Sequence, residues 1–205
     1  MKEYFEIVDV LARKSETRCG GEAVEVEITL DDGTVGRASV YSNDPMSVEN
    51  VNTEISEALV GLNVLDHTYI DSLMLEIDEE EGKRLGTGAV LATSIACAKA
   101  AADATGLSLY NYIGGINAKC IPTILEEDTE YDKIIYTDYP TLSDLIDVCN
   151  EVRKNGSVLS MSSGFDDTED NALADIAVAV NADFIETGSF FIKNELSRIA
   201  EELFS

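Results

Sequence analysis

The chain has 205 residues, 45% of them apolar, with no Trp, and sets 14 Lys plus Arg against 40 Asp plus Glu for a formal net charge of −26. That length allows one or two domains with a real core. That charge argues against nucleic acid and against an anionic membrane surface, both of which call for basic patches, and leaves room for a basic protein partner, a high-salt cytoplasm or solubility by repulsion.

Residues 4–12 read as a first strand, and Arg18–Gly21 as a turn. Ala23–Leu30 alternates, with Val24, Val26, Ile28 and Leu30 on one face and Glu25, Glu27 and Thr29 on the other, the period of a half-buried strand. Asp31-Asp32-Gly33 makes a hairpin turn, and Val35–Tyr41 returns antiparallel. Val48, Val51, Ile55, Ala58 and Leu59 form one helical stripe; Tyr69, Ile70, Leu73, Met74 and Ile77 form another, capped by Asp66. Glu79–Glu81 reads as a solvated turn.

Next comes an alanine-rich stretch, with Ala89, Ala92, Ala96, Ala100 and Ala104 at helical spacing and Val90, Ile95, Cys97 and Ala101 on the other faces. A helix apolar on most sides is buried on most sides. Lys99 and Asp103, four apart, are placed to pair across one turn, and Gly106 supplies a C-cap.

From Ala118 strands alternate with helices: strands at Cys120–Leu125, Lys133–Asp138, Ser157–Met161 and Phe184–Glu186, an acidic loop at Glu126–Asp132, and helices near Ser143–Asn155, Thr168–Asn181 and Lys193–Phe204. The acids Asp166, Asp167 and Glu169 would open the middle helix at its positive end. This alternation predicts a parallel sheet. The expected architecture is therefore an α+β amino-terminal domain, residues 1–117, followed by a truncated α/β parallel sheet, residues 118–205.

No apolar run reaches ~18 residues and Met1–Ile7 is charged, so neither a signal peptide nor a membrane span is expected. Cys19, Cys97, Cys120 and Cys149 form no CxxC pair; three lie in apolar contexts, which suits reduced thiols in a cytoplasmic protein. His67, the only histidine, fits a surface or capping role better than that of a ligand.

The wording of three stretches is more specific than their periodicity. "LGTGAVLATSIACAKAAADATGLSLYNYIGGINAK" resembles the enolase segment that ends the amino-terminal domain and enters the barrel, with matches at Leu85, Gly86, Lys99, Gly106, Tyr110, Gly114, Gly115 and Asn117 among others. "AVEVEITLDDGTVGRASVYS" is similar to the opening hairpin of that family, and "DDTEDNALADIAVAV" with "NADFIETGS" to its last βα units. The resemblance stops at Asn43-Asp44-Pro45, where the family carries a mobile loop that closes over substrate and helps bind magnesium. A (βα)₈ barrel takes ~200–250 residues; the residues after Asn117 make four strands, not eight.

The resemblance implies a lysine base, a phosphate-binding lysine, a His-Arg pair and acidic magnesium ligands. It places the acids in a part of the barrel that this chain lacks. The base falls at Ile135, with Lys133 two residues away on the same face, the His-Arg pair at Ser163 and Gly164, and the phosphate-binding lysine at Glu186. No catalytic residue is therefore expected, and no cofactor, magnesium being the one the family would imply. Glu126, Glu127, Asp128, Asp138, Asp166, Asp167 and Glu186 lie near strand ends, and Asp138, Asp166, Asp167 and Glu186 are the candidates for a hard-cation site. The reading at this level is an enolase-like binding, scaffold or regulatory module; the alternatives are a residual or altered lyase and a structural subunit of a larger complex. Open sheet edges predict a homodimer or a protein partner rather than a monomer.

Overall fold

The computed structural model describes residues 4–78, 84–125, 133–164 and 167–204. The chain opens with three antiparallel strands, β1 (Ile7–Glu16), β2 (Glu22–Leu30) and β3 (Val35–Tyr41), in the order β1-β2-β3. The alternating β2 residues Val24, Val26, Ile28 and Leu30 are all buried, and Gly33 takes φ 87 in the turn. On the other face Arg13 pairs with its cross-strand partner Glu25, and Arg37 with Glu27.

β1 lies later than residues 4–12. Before Ile7 the chain serves the next segment instead: Val64 N donates to Phe5 O at 2.9 Å, and Phe5 N to Asn63 Oδ1 at 3.0 Å. Beyond residue 12, β1 runs on to Glu16 opposite Glu22.

Helices α1 (Ser47–Asn50) and α2 (Ser56–Leu59) are joined without a break by a π-helical turn, Val51–Ile55. That turn places Asn52 against the outer edge of β1. Ala12 N donates to Asn52 Oδ1 at 2.7 Å, and Asn52 Nδ2 donates to Ala12 O at 3.0 Å. One amide thus fills both backbone valences of an edge strand, a protection such edges need. Helix α3 (His67–Asp78) buries Ile70 and Met74 as the stripe requires, but Tyr69 is 58% exposed. The surprise on this helix is polar: Asp71 and Asp78 are buried. The expected turn at Glu79–Glu81 lies outside the described residues.

Helix α4 (Thr87–Thr105) is the alanine-rich segment, and Gly106 ends it in the left-handed conformation as expected. It packs across β2 and β3 on one side and against α3 and α5 (Leu109–Gly114) on the other. Its small side chains let backbones approach closely. A Cβ built on Gly36 of β3 would stand 2.2 Å from Ala96 O and 2.4 Å from Ala100 N. The Lys99–Asp103 pair does not form: Lys99 turns inward and binds Asp170 instead, because a part-buried ammonium needs a buried partner more than a surface one.

The second half is a four-stranded parallel sheet, β4 (Thr123–Leu125), β5 (Lys133–Ile135), β6 (Ser160–Ser162) and β7 (Phe184–Glu186), in the order β4-β7-β6-β5. It carries α6 (Leu142–Lys154), α7 (Ala172–Ala179) and α8 (Phe190–Phe204). Met161 and Ile185 point to the buried face. The strands are shorter than their apolar runs. A 3₁₀ turn, Tyr136–Asp138, ends β5 early, and Val158 remains 49% exposed before β6 begins. An α+β unit followed by an open parallel α/β sheet is the architecture expected from the pattern.

The first half of the chain caps the helices of the second. At the start of α6, Leu142 N donates to Ser94 Oγ (3.0 Å), Ser143 N to Asp71 Oδ2 (3.1 Å), and Asp144 N to Thr141 Oγ1 (3.1 Å). Three of the donors that a helix leaves unpaired at its first turn are filled this way, two of them by residues on α3 and α4.

Candidate functional site

The positions to which the resemblance points do come together. Ile135, Ser162 and Glu186 stand in register at the carboxyl ends of β5, β6 and β7. Ser163 follows and is buried. Gly164, at φ +80, passes so near that a Cβ on it would lie 3.3 Å from Ile135 Cγ2. Ile135, Ser163, Gly164 and Glu186 thus form one cluster at the end of the sheet where α/β sites sit.

Its electrostatics differ from a substrate anion site. Lys133 Nζ donates to Glu186 Oε2 at 2.8 Å, with the side chains 24% and 21% exposed. Lys133 and Glu186 share one face because each lies an even number of register positions from Ile135 and Ser162. The lysine expected two residues from the base position therefore reaches the cluster, but it spends its charge on Glu186.

The described acidic candidates, Asp138, Asp167 and Glu186, do not converge. Glu186 holds Lys133. Asp138 lies apart, in a cleft of about 390 Å³ that it shares with Ser42, Asn43, Asp44, Gly86 and Thr137, between the end of β3, the start of α4 and the end of β5. Asp167 offers its backbone carbonyl to Arg18 N at 2.7 Å. Asp166 and the loop acids Glu126, Glu127 and Asp128 lie outside the described residues. Among the described residues no three His, Cys, Asp or Glu side chains gather as a metal site would require. The described residues therefore do not gather into the magnesium centre that the resemblance implies.

The segment Asp167–Asp170 has another job. Thr168 Oγ1 donates to Ser39 O at 2.7 Å and Ser39 N donates to Asp170 Oδ2 at 3.0 Å, so the outer edge of β3 is bracketed as Asn52 brackets β1. Asp170 also takes Lys99 Nζ on both oxygens at 2.9 Å and accepts from Ala172 N at 2.7 Å. The acids expected to open α7 sit before it, since α7 begins only at Ala172. Ser39, Lys99 and Asp170 also line a cleft of about 300 Å³ with Glu16, Arg37 and Glu169.

Two further polar groups escaped sequence reasoning. His67 is tucked in rather than on the surface: its Nε2 lies 3.3 Å from Asp71 Oδ2 and 3.4 Å from Ser94 Oγ. Both partners use the same ring nitrogen, so the three cannot relay a proton as a hydrolytic triad does. Burial acts to raise the Asp71 carboxyl, but hydrogen bonds from His67, Ser143 and Ser94 outweigh it and hold it below the ordinary value. Asp175, on α7, accepts from Tyr110 N at 3.2 Å; burial, then Glu195, push its carboxyl up to about 7. Cys97 and Cys149 are buried, and burial raises both thiols, Cys149 to about 12; Cys19 and Cys120 are exposed, so two of the four are core thiols, not three. No helix among the described residues is long and apolar enough to cross a membrane.

One comparison with known families bears on this arrangement. Residues 45–113, from the loop before α1 to the end of α5, match the family model described as enolase, N-terminal domain. The match is confined to the helical part of the first unit and takes in α4, the helix on which both sheets depend. It supports a relationship between this chain and the enolase superfamily.

Proposed function

We propose that the chain is an enolase-related module that works by binding a partner, not by turning over substrate. The observation that carries this reading is the strand-end cluster. Stabilising a transition state rich in negative charge needs preorganised positive groups or metal. Here Ile135, Ser163 and Gly164 are uncharged, and the Lys133 ammonium is matched by Glu186 at 2.8 Å. In this reading residues 1–117 keep the amino-terminal domain and residues 118–205 are what remains of the barrel. The partner is a second copy or another protein. β1 and β3 already have their edges bracketed, which leaves β4 and β5 as the outer strands of the open sheet.

The test is direct. Purified protein with excess Mg²⁺ and 2-phosphoglycerate is followed by phosphoenolpyruvate absorbance. The expected rate equals that of a buffer control. Turnover above that control that disappears in Glu186→Ala would overturn the reading in favour of a residual lyase.

A further inference from the structure

Ile116 is 85% exposed, the most exposed large apolar side chain among the described residues. It sits on a 3₁₀ turn, Gly115–Asn117, that follows α5. The chain is pinned on both sides of that turn. Before it, Gly114 packs so close to α7 that a Cβ there would stand 2.4 Å from Ala179 O. After it, Ala118 is buried, and Lys119 N and Cys120 N both donate to Asn181 Oδ1 at 3.2 Å. Ile116 is therefore held out as a fixed knob and cannot fold inward. Gly114 and Asn117, which flank it, belong to the wall of a cleft of about 540 Å³ that reaches the carboxyl ends of α6 and α7. Ile113, Ile146 and Val180 give that cleft apolar surface, and Asn150, Arg153 and Cys120 stand in its walls. None of the described residues that line it is acidic, whereas the clefts of Asp138 and of Asp170 both carry carboxylates.

A lone exposed isoleucine is ordinary, but a fixed one beside an apolar cleft on the same face makes that face self-complementary. A two-fold axis between knob and cleft fills both at once, as an isologous interface does. We propose that this face docks a second copy of the chain, with Ile116 of each copy seated in the cleft of the other. The proposal rests on the reading above that the chain works by binding, and it narrows the partner to a second copy. Charge selects that occupant. At net −26 two copies repel over most of their surfaces, and a basic partner would be drawn to the carboxylates elsewhere. Acid-free walls let two copies meet where that repulsion is least. Arg153 adds no net charge there, since Nη1 is matched by Asp183 at 2.9 Å.

Sedimentation velocity of the full chain from about 1 to about 200 µM tests this. The mass should rise from 22.2 kDa to twice that, and the dimer should tighten as salt screens the net charge. Ile116→Asp and Asn150→Glu each put a carboxylate into the contact and should raise the dissociation constant about a hundredfold or more. Both positions are exposed, so the fold of the single copy should survive either change. Maleimide labelling locates the interface without a variant: as the dimer forms, Cys120 should slow about fivefold or more relative to the exposed Cys19. A wild type that stays monomeric, a dimer that either substitution leaves undiminished, or a Cys120 rate that keeps pace with Cys19 would overturn the proposal. None of these outcomes bears on the phosphoenolpyruvate assay, so the non-catalytic reading stands or falls apart from them.

Discussion

Replacing Asp170 by Ala tests whether the two halves of the molecule are held by one residue. Its carboxylate accepts Lys99 Nζ twice at 2.9 Å, Ser39 N at 3.0 Å and Ala172 N at 2.7 Å. The Lys99 and Asp170 side chains are 20% and 11% exposed. Removing one member of a buried ion pair costs about 3–5 kcal/mol, because the other charge is left desolvated. Lys99 retains a fifth of its exposure, which argues for the lower end, about 3 kcal/mol. That is a large part of the 5–15 kcal/mol that holds a typical domain together. Lys99→Met in the same chain removes the stranded ammonium and should recover about 1–2 kcal/mol, so the two substitutions couple. Asp170→Asn keeps acceptors for the two amides and should lose only about 1.5–2 kcal/mol. Urea unfolding followed by circular dichroism of the wild type, the three single variants and the double variant gives all five free energies. A loss below 1 kcal/mol in Asp170→Ala, or coupling below 0.5 kcal/mol, would refute the claim that this carboxylate joins β3, α4 and α7.

Two further outcomes are expected from other contacts. Gly36→Ala should cost about 3 kcal/mol or more, since its Cβ would meet the α4 backbone at Ala96 O and Ala100 N, which no side-chain rotation can move aside; a melting temperature equal to the wild type would show that α4 does not pack as described. Asp71→Asn should cost about 1.5–3 kcal/mol near neutral pH, and because the folded Asp71 carboxyl lies below its ordinary value, the deficit should shrink only as pH falls below about 4; a deficit that stays constant down to pH 3 would refute the charge-assisted role.

The parts of the fold readable in advance are those where one local rule dominates. The β2–β3 hairpin is dictated by strict alternation across Asp32-Gly33, and α4 by alanine spacing closed by Gly106. Phe184–Glu186 is a strand as expected. Polar anchors have no such signature. Asp170 is silent in the sequence because its partners Ser39 and Lys99 lie 131 and 71 residues away. Asp71 and Asp175 look like the wet positions of amphipathic helices, yet each is buried against the start of another helix. The resemblance points to Ile135, Ser163, Gly164 and Glu186, whereas face parity alone puts Lys133 beside them, and its bond to Glu186 depends on how three strands line up.

These anchors also explain how a sheet of four parallel strands stays folded without closing on itself. A closed barrel holds its helices by wrapping them around a continuous sheet. In this chain α4 takes over part of that work. Its Ser94 hydroxyl caps α6, its Lys99 fixes the carboxylate that precedes α7, and its backbone receives β3 at a glycine. From α3, Asp71 takes the next amide of α6. The donors at the amino ends of α6 and α7 are thereby satisfied by or through the first half of the chain. Each such bond is worth little beyond about 1–3 kcal/mol, but leaving its buried donor unpaired costs a similar amount again. The second half therefore depends on the first for polar satisfaction as well as for apolar cover. This asymmetry predicts that substitutions at Ser94, Lys99 or Asp71 loosen the parallel sheet and its helices before they disturb the β1–β3 sheet, whose own edges are bracketed separately by Asn52 and by Thr168 with Asp170.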